Sequence, residues 1–145
     1  MSWHVVHLAD TPATHWRNGG GLTRELVAQP AGANWHWRLS VAEVAADGPF
    51  SRFEGVTRWF AVLQGAGVVL NVHTPSDSGE AGASEHRLTE VDPPLCFDGG
   101  AATDCQLIAG PTQDFNLMVR DSSLPARMLR VHGDFHSAVS ATKTI

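Results

Sequence analysis

The run Arg58-Trp59-Phe60-Ala61-Val62-Leu63-Gln64-Gly65-Ala66-Gly67-Val68-Val69-Leu70-Asn71-Val72-His73 sets two short apolar segments on either side of a pair of glycines. Short apolar runs bounded by glycine read as strands. Glycine takes the positive φ values that tight turns demand, so residues 65–67 are expected to close a hairpin. The same rhythm recurs outward in both directions. Residues 3–8, 22–28, 35–44, 86–91, 103–109, 114–120 and 126–131 are short, apolar or alternating, and separated by Gly, Pro, Asn or Asp. The pattern predicts an all-β barrel or sandwich with few helices.

The chain has 145 residues, of which 43% are hydrophobic and 17% charged. That is a globular composition. A chain of this length buries roughly 70% of the surface its unfolded form exposes, so one domain needs no metal or disulfide to hold it. Residues 1–136 are expected to form that domain, with two strand-rich halves meeting near Asp92-Pro93-Pro94 and a flexible tail over 137–145. The segment 74–85, rich in Ser, Gly, Asp and Ala, is expected to be an exposed loop.

Ten basic residues stand against fifteen acidic ones, and nine of the ten are Arg. No basic stripe tracks a phosphate backbone, which argues against a nucleic-acid partner. No run of about 18 apolar residues exists to cross a membrane, and residues 1–7 lack the charged lead-in of an export signal, so a cytoplasmic location is expected. Cys96 and Cys105 have no CxxC spacing and are expected to be reduced thiols.

Three motifs carry the functional reading. In Trp16-Arg17-Asn18-Gly19-Gly20-Gly21-Leu22-Thr23-Arg24-Glu25, consecutive glycines mark a bend or a close backbone approach. The bend is either purely structural or presents Asn18 and Thr23 to a ligand. It leads into a strand pattern and lacks the Gly-Lys-Ser/Thr ending of a phosphate loop.

The segment 58–65 resembles the latter part of the first cupin motif, in which an acidic metal ligand stands with six residues between it and the turn glycine. Arg58 occupies that acidic slot. The two placements of the preceding His-x-His pair fall on Arg52/Glu54 and Ser51/Phe53. Divalent ions that favour His nitrogen therefore lack their ligands, and no metal or other cofactor is expected. His132 and His136 would share a face only on a helix, and Gly133-Asp134 between them argues for a turn.

In Gly110-Pro111-Thr112-Gln113-Asp114-Phe115-Asn116-Leu117-Met118-Val119-Arg120, a period of two separates Phe115, Leu117 and Val119 from Asp114, Asn116, Met118 and Arg120. The polar face either lines the interior or meets solvent, and parity alone does not choose. Residues 35–42 alternate similarly, with Trp37, Leu39 and Val41 expected in the core and Arg38 paired with an acid such as Glu25. No Gly-x-Ser-x-Gly elbow or His-Glu-x-x-His helix is present, and neither Cys has a neighbouring His.

Taken together, Trp16-x-Asn18-Gly19-Gly20-Gly21-x-Thr23-x-Glu25, Trp37-Arg38-Leu39-Ser40-x-Ala42, Phe50-Ser51-x-Phe53-x-Gly55-x-x-Arg58, Phe97-Asp98-Gly99 and Gly110-Pro111-x-x-Asp114-Phe115-Asn116-Leu117-Met118-x-Arg120 resemble the HutD/Ves family. The resemblance implies a bicupin, two cupin-like β-sheets in a barrel-like body, and a connection with histidine utilisation or stress response. It carries no catalytic residues with it. Members of that family usually extend further beyond the Asp-Phe-Asn-Leu-Met strand, so a shortened second half is expected, with an open sheet edge through which a homodimer could form.

The function expected from these readings is metal-free binding of a small polar or anionic metabolite, by a regulator linked to histidine utilisation or stress response. Arg58 and Arg120 would hold a carboxylate, Asn18 and Asn116 would orient it, and Trp16 would close one wall. The alternatives are an isomerase or hydrolase using Glu25 or Asp114 as general base, and an interaction module working through the open edge.

Overall fold

A computed structural model of the protein describes residues 4–74, 82–120 and 124–136. The described residues form ten strands and one 3-10 turn, Leu8–Asp10. The strands are β1 (Ala13–His15), β2 (Gly21–Gln29), β3 (Trp37–Val44), β4 (Gly48–Pro49), β5 (Thr57–Gln64), β6 (Val68–Thr74), β7 (Gly82–Leu88), β8 (Leu95–Asp98), β9 (Ala102–Leu107) and β10 (Thr112–Val119). They make two antiparallel sheets, ordered β1-β2-β3-β10-β5-β8 and β4-β9-β6-β7.

Alternation along the strands builds the core. Phe60 and Val62 of β5, Val68, Leu70 and Val72 of β6, Phe97 of β8 and Cys105 of β9 all meet between the sheets with Val44 and Phe50. Burying such side chains contributes about 1.5–3 kcal/mol each. A smaller cluster of Ala28, Trp35, Val56 and Met118, with Phe53 against it, closes one end.

Two glycines at the quoted corner behave differently from the hairpin the sequence suggests. Gly65 and Gly67 have positive φ, 110° and 113°. Yet β5 and β6 lie in different sheets, so residues 65–67 carry the chain across the body. The corner is also crowded, which explains why both positions are glycine. A Cβ on Gly65 would lie 2.7 Å from the Pro111 carbonyl oxygen, and one on Gly67 would lie 2.4 Å from that of Leu88. The corner is wedged between the strands that follow in both sheets.

Other boundaries also shift. The described part of 3–8 is not a strand, and Val5 is 71% exposed, because no partner strand lies beside it. The expected loop over 74–85 is part strand, since β7 pairs with β6 from Thr74↔Gly82 to Val68↔Leu88. A partner's ladder outweighs the weak β-propensity of small polar residues there. Residues 75–81 of that loop, and the expected tail 137–145, lie outside the described residues. Residues 126–131 form no strand either. Arg130 fastens them instead, donating from Nε to the Asp92 carbonyl at 2.8 Å and from Nη2 to the Val62 carbonyl at 2.8 Å.

Strands from before and after residue 92 interleave in both sheets, as β10 sits between β3 and β5 while β9 sits between β4 and β6. The two halves are therefore not two separate sheets. This interleaving makes β10 a central strand, and its polar face points inward: Thr112, Asp114, Asn116 and Met118 are buried, while Phe115 and Leu117 are only half-buried on the other face.

Candidate functional site

The first sheet's inner face is not sealed along its whole length. Between the β1–β2 turn, strands β3, β5 and β10, and the 49–53 loop lies a cleft of about 490 Å³. Arg17, Arg38 and Arg58 are among its lining residues, and no Asp or Glu is. In a chain of net charge −5 this lining is a local excess of positive charge.

Arg58 is the innermost of the three cations. The β-strand period that places Phe60 and Val62 in the core also turns Arg58 inward, leaving it 6% exposed. Its Nη2 donates to Asn116 Oδ1 at 3.0 Å, while its buried Nε has no hydrogen-bond partner. The guanidinium carbon stands 5.3, 5.7 and 5.2 Å from the ring centroids of Phe50, Phe53 and Phe97. Aromatic faces attract a cation, but they carry no net charge to neutralise it. Among the described residues no carboxylate lies within 4.0 Å of Arg58. Burial, and after it the nearby charge of Arg38, pushes the guanidinium down to about 10, so it remains protonated at neutral pH.

The opposite wall comes from the glycine-rich turn. Trp16 N–H donates to the Gly21 carbonyl, and Gly19 N–H donates to that of Trp16, closing the β1–β2 connection. Asn18 Oδ1 accepts from Gly20 N–H at 2.9 Å, an Asx-type contact that stiffens the turn. Trp16 Nε1 donates to Thr23 Oγ1 at 2.8 Å, which fixes the indole. Gly21 is required by this packing, because a Cβ there would lie 2.4 Å from the Glu43 carbonyl oxygen and 3.1 Å from the Trp16 ring.

The fold therefore brings together Trp16, Asn18, Thr23, Arg58 and Asn116 of the residues singled out from sequence. It places three others elsewhere. Arg120 donates from Nη1 to the carbonyls of Ala33 and Trp35 and stacks 3.9 Å from the Trp35 ring centroid, so it serves the strand end and not the cleft. Glu25 is exposed, with Oε1 at 2.9 Å from Arg38 Nε, the pairing expected from sequence, though without the alignment of a hydrogen bond. Asp114 is 0% exposed and lies beyond the cleft, its Oδ2 accepting from Thr112 Oγ1 at 2.9 Å.

Arg38, Ser40, Phe50 and Phe53 also line the cleft, and sequence reasoning did not select them. Arg38 and Ser40 carried a signal, since they share one parity on β3. Ser40 stands directly across from Asn116 in the ladder. Phe50 and Phe53 lie on a loop with no periodicity to reveal their direction. His132 and His136 are exposed on irregular backbone, and among the described residues no three His, Cys, Asp or Glu side chains come together as metal ligands would. Cys105 is buried and Cys96 exposed, both unpaired.

Comparison with known proteins gives the following likenesses. A family model described as HutD matches residues 8–145. Protein Ves of Escherichia fergusonii is 35% identical over 119 residues, covering 81% of this chain and 58% of that protein. An uncharacterized 21.2 kDa protein in the hutC 3′ region of Pseudomonas putida is 34% identical over 126 residues, covering 86% and 62%. Among solved structures, HutD from Pseudomonas fluorescens in a formate condition is 36% identical with a TM-score of 0.67, covering 79% of this chain and 58% of that one. An oxalate decarboxylase from Lactobacillus farciminis is 12% identical with a TM-score of 0.55, covering 82% and 34%, a likeness of fold alone. The chain thus spans about three fifths of the length of these longer HutD and Ves relatives. Its fold is all-β and cupin-like.

Proposed function

The chain belongs to the HutD family, and from that membership and the chemistry of the cleft we propose that it binds a small carboxylate without a metal, as a regulator linked to histidine utilisation. The observation that carries the reading is Arg58: a buried, protonated guanidinium with no carboxylate within 4.0 Å among the described residues. A buried charge left alone is costly, and a carboxylate from outside offsets that cost. Asn18, Thr23, Ser40 and Asn116 supply neutral polar contacts around it, and Trp16 supplies a flat wall.

The link to histidine utilisation is supported by the Pseudomonas putida relative's place in the hutC 3′ region. A cytoplasmic site of action fits a metabolite sensor, and no described helix is long and apolar enough to cross a membrane. General-base chemistry finds less support, because Glu25 faces solvent and Asp114 is closed off from the cleft.

The test is thermal unfolding and titration calorimetry against formate, glutamate, histidine, urocanate and formylglutamate. A carboxylate at 100 times its dissociation constant adds about 2.7 kcal/mol and raises the midpoint by several degrees. Arg58→Ala is expected to weaken the binding about 100-fold or more, since it removes the charge that the ligand answers. Undiminished binding by Arg58→Ala would refute the proposal.

A further inference from the structure

Among the described residues, the groups found against the head of Arg58 are aromatic rings and an amide. Three phenyl rings surround it, and its stem passes under the turn at Gly99, where a Cβ would stand 3.2 Å from Arg58 Cγ. Among the described residues, the one polar side chain bonded to it is an amide, Asn116. Buried arginines are ordinarily matched by a carboxylate, and an aspartate would occupy the volume of Asn116 with one oxygen in place of the amide nitrogen. Of the acids on neighbouring strands, Glu25 and Glu43 pair with Arg38 and Arg24, while Asp114 sits two residues from Asn116 on the same face.

We propose that Asn116 is an affinity-determining positioning residue, which orients the Arg58 guanidinium through Nη2 and, being uncharged, leaves the cation's full charge for an anion entering the cleft. The amide acts through Arg58 and does two separable things. Its Oδ1 fixes the direction of the fork, so that the remaining N–H groups are pre-aimed and a carboxylate meets an ordered partner. Its neutrality prevents the protein from satisfying Arg58 internally. A carboxylate at this position would neutralise the arginine within the fold and compete with any ligand at a separation that no diffusing anion improves upon. This inference rests on the carboxylate-binding reading of the cleft.

The deciding experiment uses the Asn116→Asp variant of the full chain, with urocanate titrated by calorimetry, formate by NMR chemical shift, and thermal unfolding measured without ligand. The expected result is a split. Affinity for both probes falls at least about tenfold, because a fixed charge at hydrogen-bond distance outcompetes one in solution, while the ligand-free midpoint rises. In an Arg58→Met background the same Asn116→Asp change must lower the midpoint, since it then buries a lone carboxylate; the difference between the two backgrounds isolates the pair. Unchanged affinity in Asn116→Asp overturns the proposal. So does a fall of the ligand-free midpoint by the same amount in both backgrounds alongside the loss of affinity in the Arg58 chain, which would make Asn116 a packing residue only. If the wild-type chain binds neither probe nor any other carboxylate of the panel, the reading of the cleft itself fails, a result distinguishable from the first two.

Discussion

Asp114 and the Arg58–Asn116 pair stand two positions apart on the inner face of β10, and burial acts on them in opposite ways. Each site holds an ionisable group with one buried atom unpartnered, Asp114 Oδ1 on β10 and Arg58 Nε on the neighbouring β5. The carboxyl can relinquish its charge. Burial pushes Asp114 up to about 7, against the pull of the Thr112 hydroxyl, so near neutrality much of it is the uncharged acid. Its neighbour Cys105 is pushed up to about 12 by burial and by Asp114, so this end holds no ready nucleophile. The guanidinium, held at about 10, cannot discharge in the same way. One site is therefore closed and can shed its charge, while the other borders the cleft and keeps its charge.

The largest effect expected from this contrast belongs to the closed end. The folded chain holds the Asp114 proton to about pH 7, whereas the unfolded chain releases it near the ordinary value of 3.8. The group's stabilising contribution is thus fully present below 3.8 and is lost as pH rises to about 7, a decline on the order of 4 kcal/mol. Urea unfolding at pH 4.5 and pH 8 should show the wild type losing stability relative to Asp114→Asn as pH rises. Parallel pH profiles for the two proteins would break the comparison.

At the open end, Arg58→Met keeps the length of the side chain and removes the charge. Ligand-free stability is expected to rise by about 2 kcal/mol, since an uncompensated buried ion is replaced by apolar contact with Phe50, Phe53 and Phe97. A fall in the urea midpoint would mean that the rings alone suffice to settle the cation. The smallest effect concerns the wall. Thr23→Val takes the acceptor from Trp16 Nε1 and should cost about 1 kcal/mol in stability, with carboxylate affinity reduced several-fold as the indole loosens. Calorimetry of this variant beside the wild type measures how far the wall contributes.

Much of this was legible before the fold was known, and where it was not the reasons are particular. The strands β2, β3, β5, β6, β9 and β10 follow from apolar runs bounded by glycine, and the bend at 19–21 follows from the glycines themselves. Trp16, Asn18, Thr23, Arg58 and Asn116 were named from motifs and do converge. Arg120 was named with them because it shares their parity, yet it lies at the strand's end, where backbone carbonyls and Trp35 claim it. β4 and β8 went unread because two or four residues establish no period, and they exist as strands only because β9 and β5 lie alongside.

The sequence by itself determined that the chain is all-β, that its cupin-like metal positions hold Arg, Ser, Phe and Glu where imidazoles would be needed, and which residues share a strand face. These are local properties, set by side-chain chemistry and by the two-residue period of an extended backbone. Only the tertiary structure decided that the polar face of β10 turns inward, that residues 65–67 cross between sheets, and that Arg58 meets an amide and three aromatic rings. Those facts depend on which strands flank which, and strand order is fixed by the summed packing of segments far apart in the chain, a quantity that no local pattern contains.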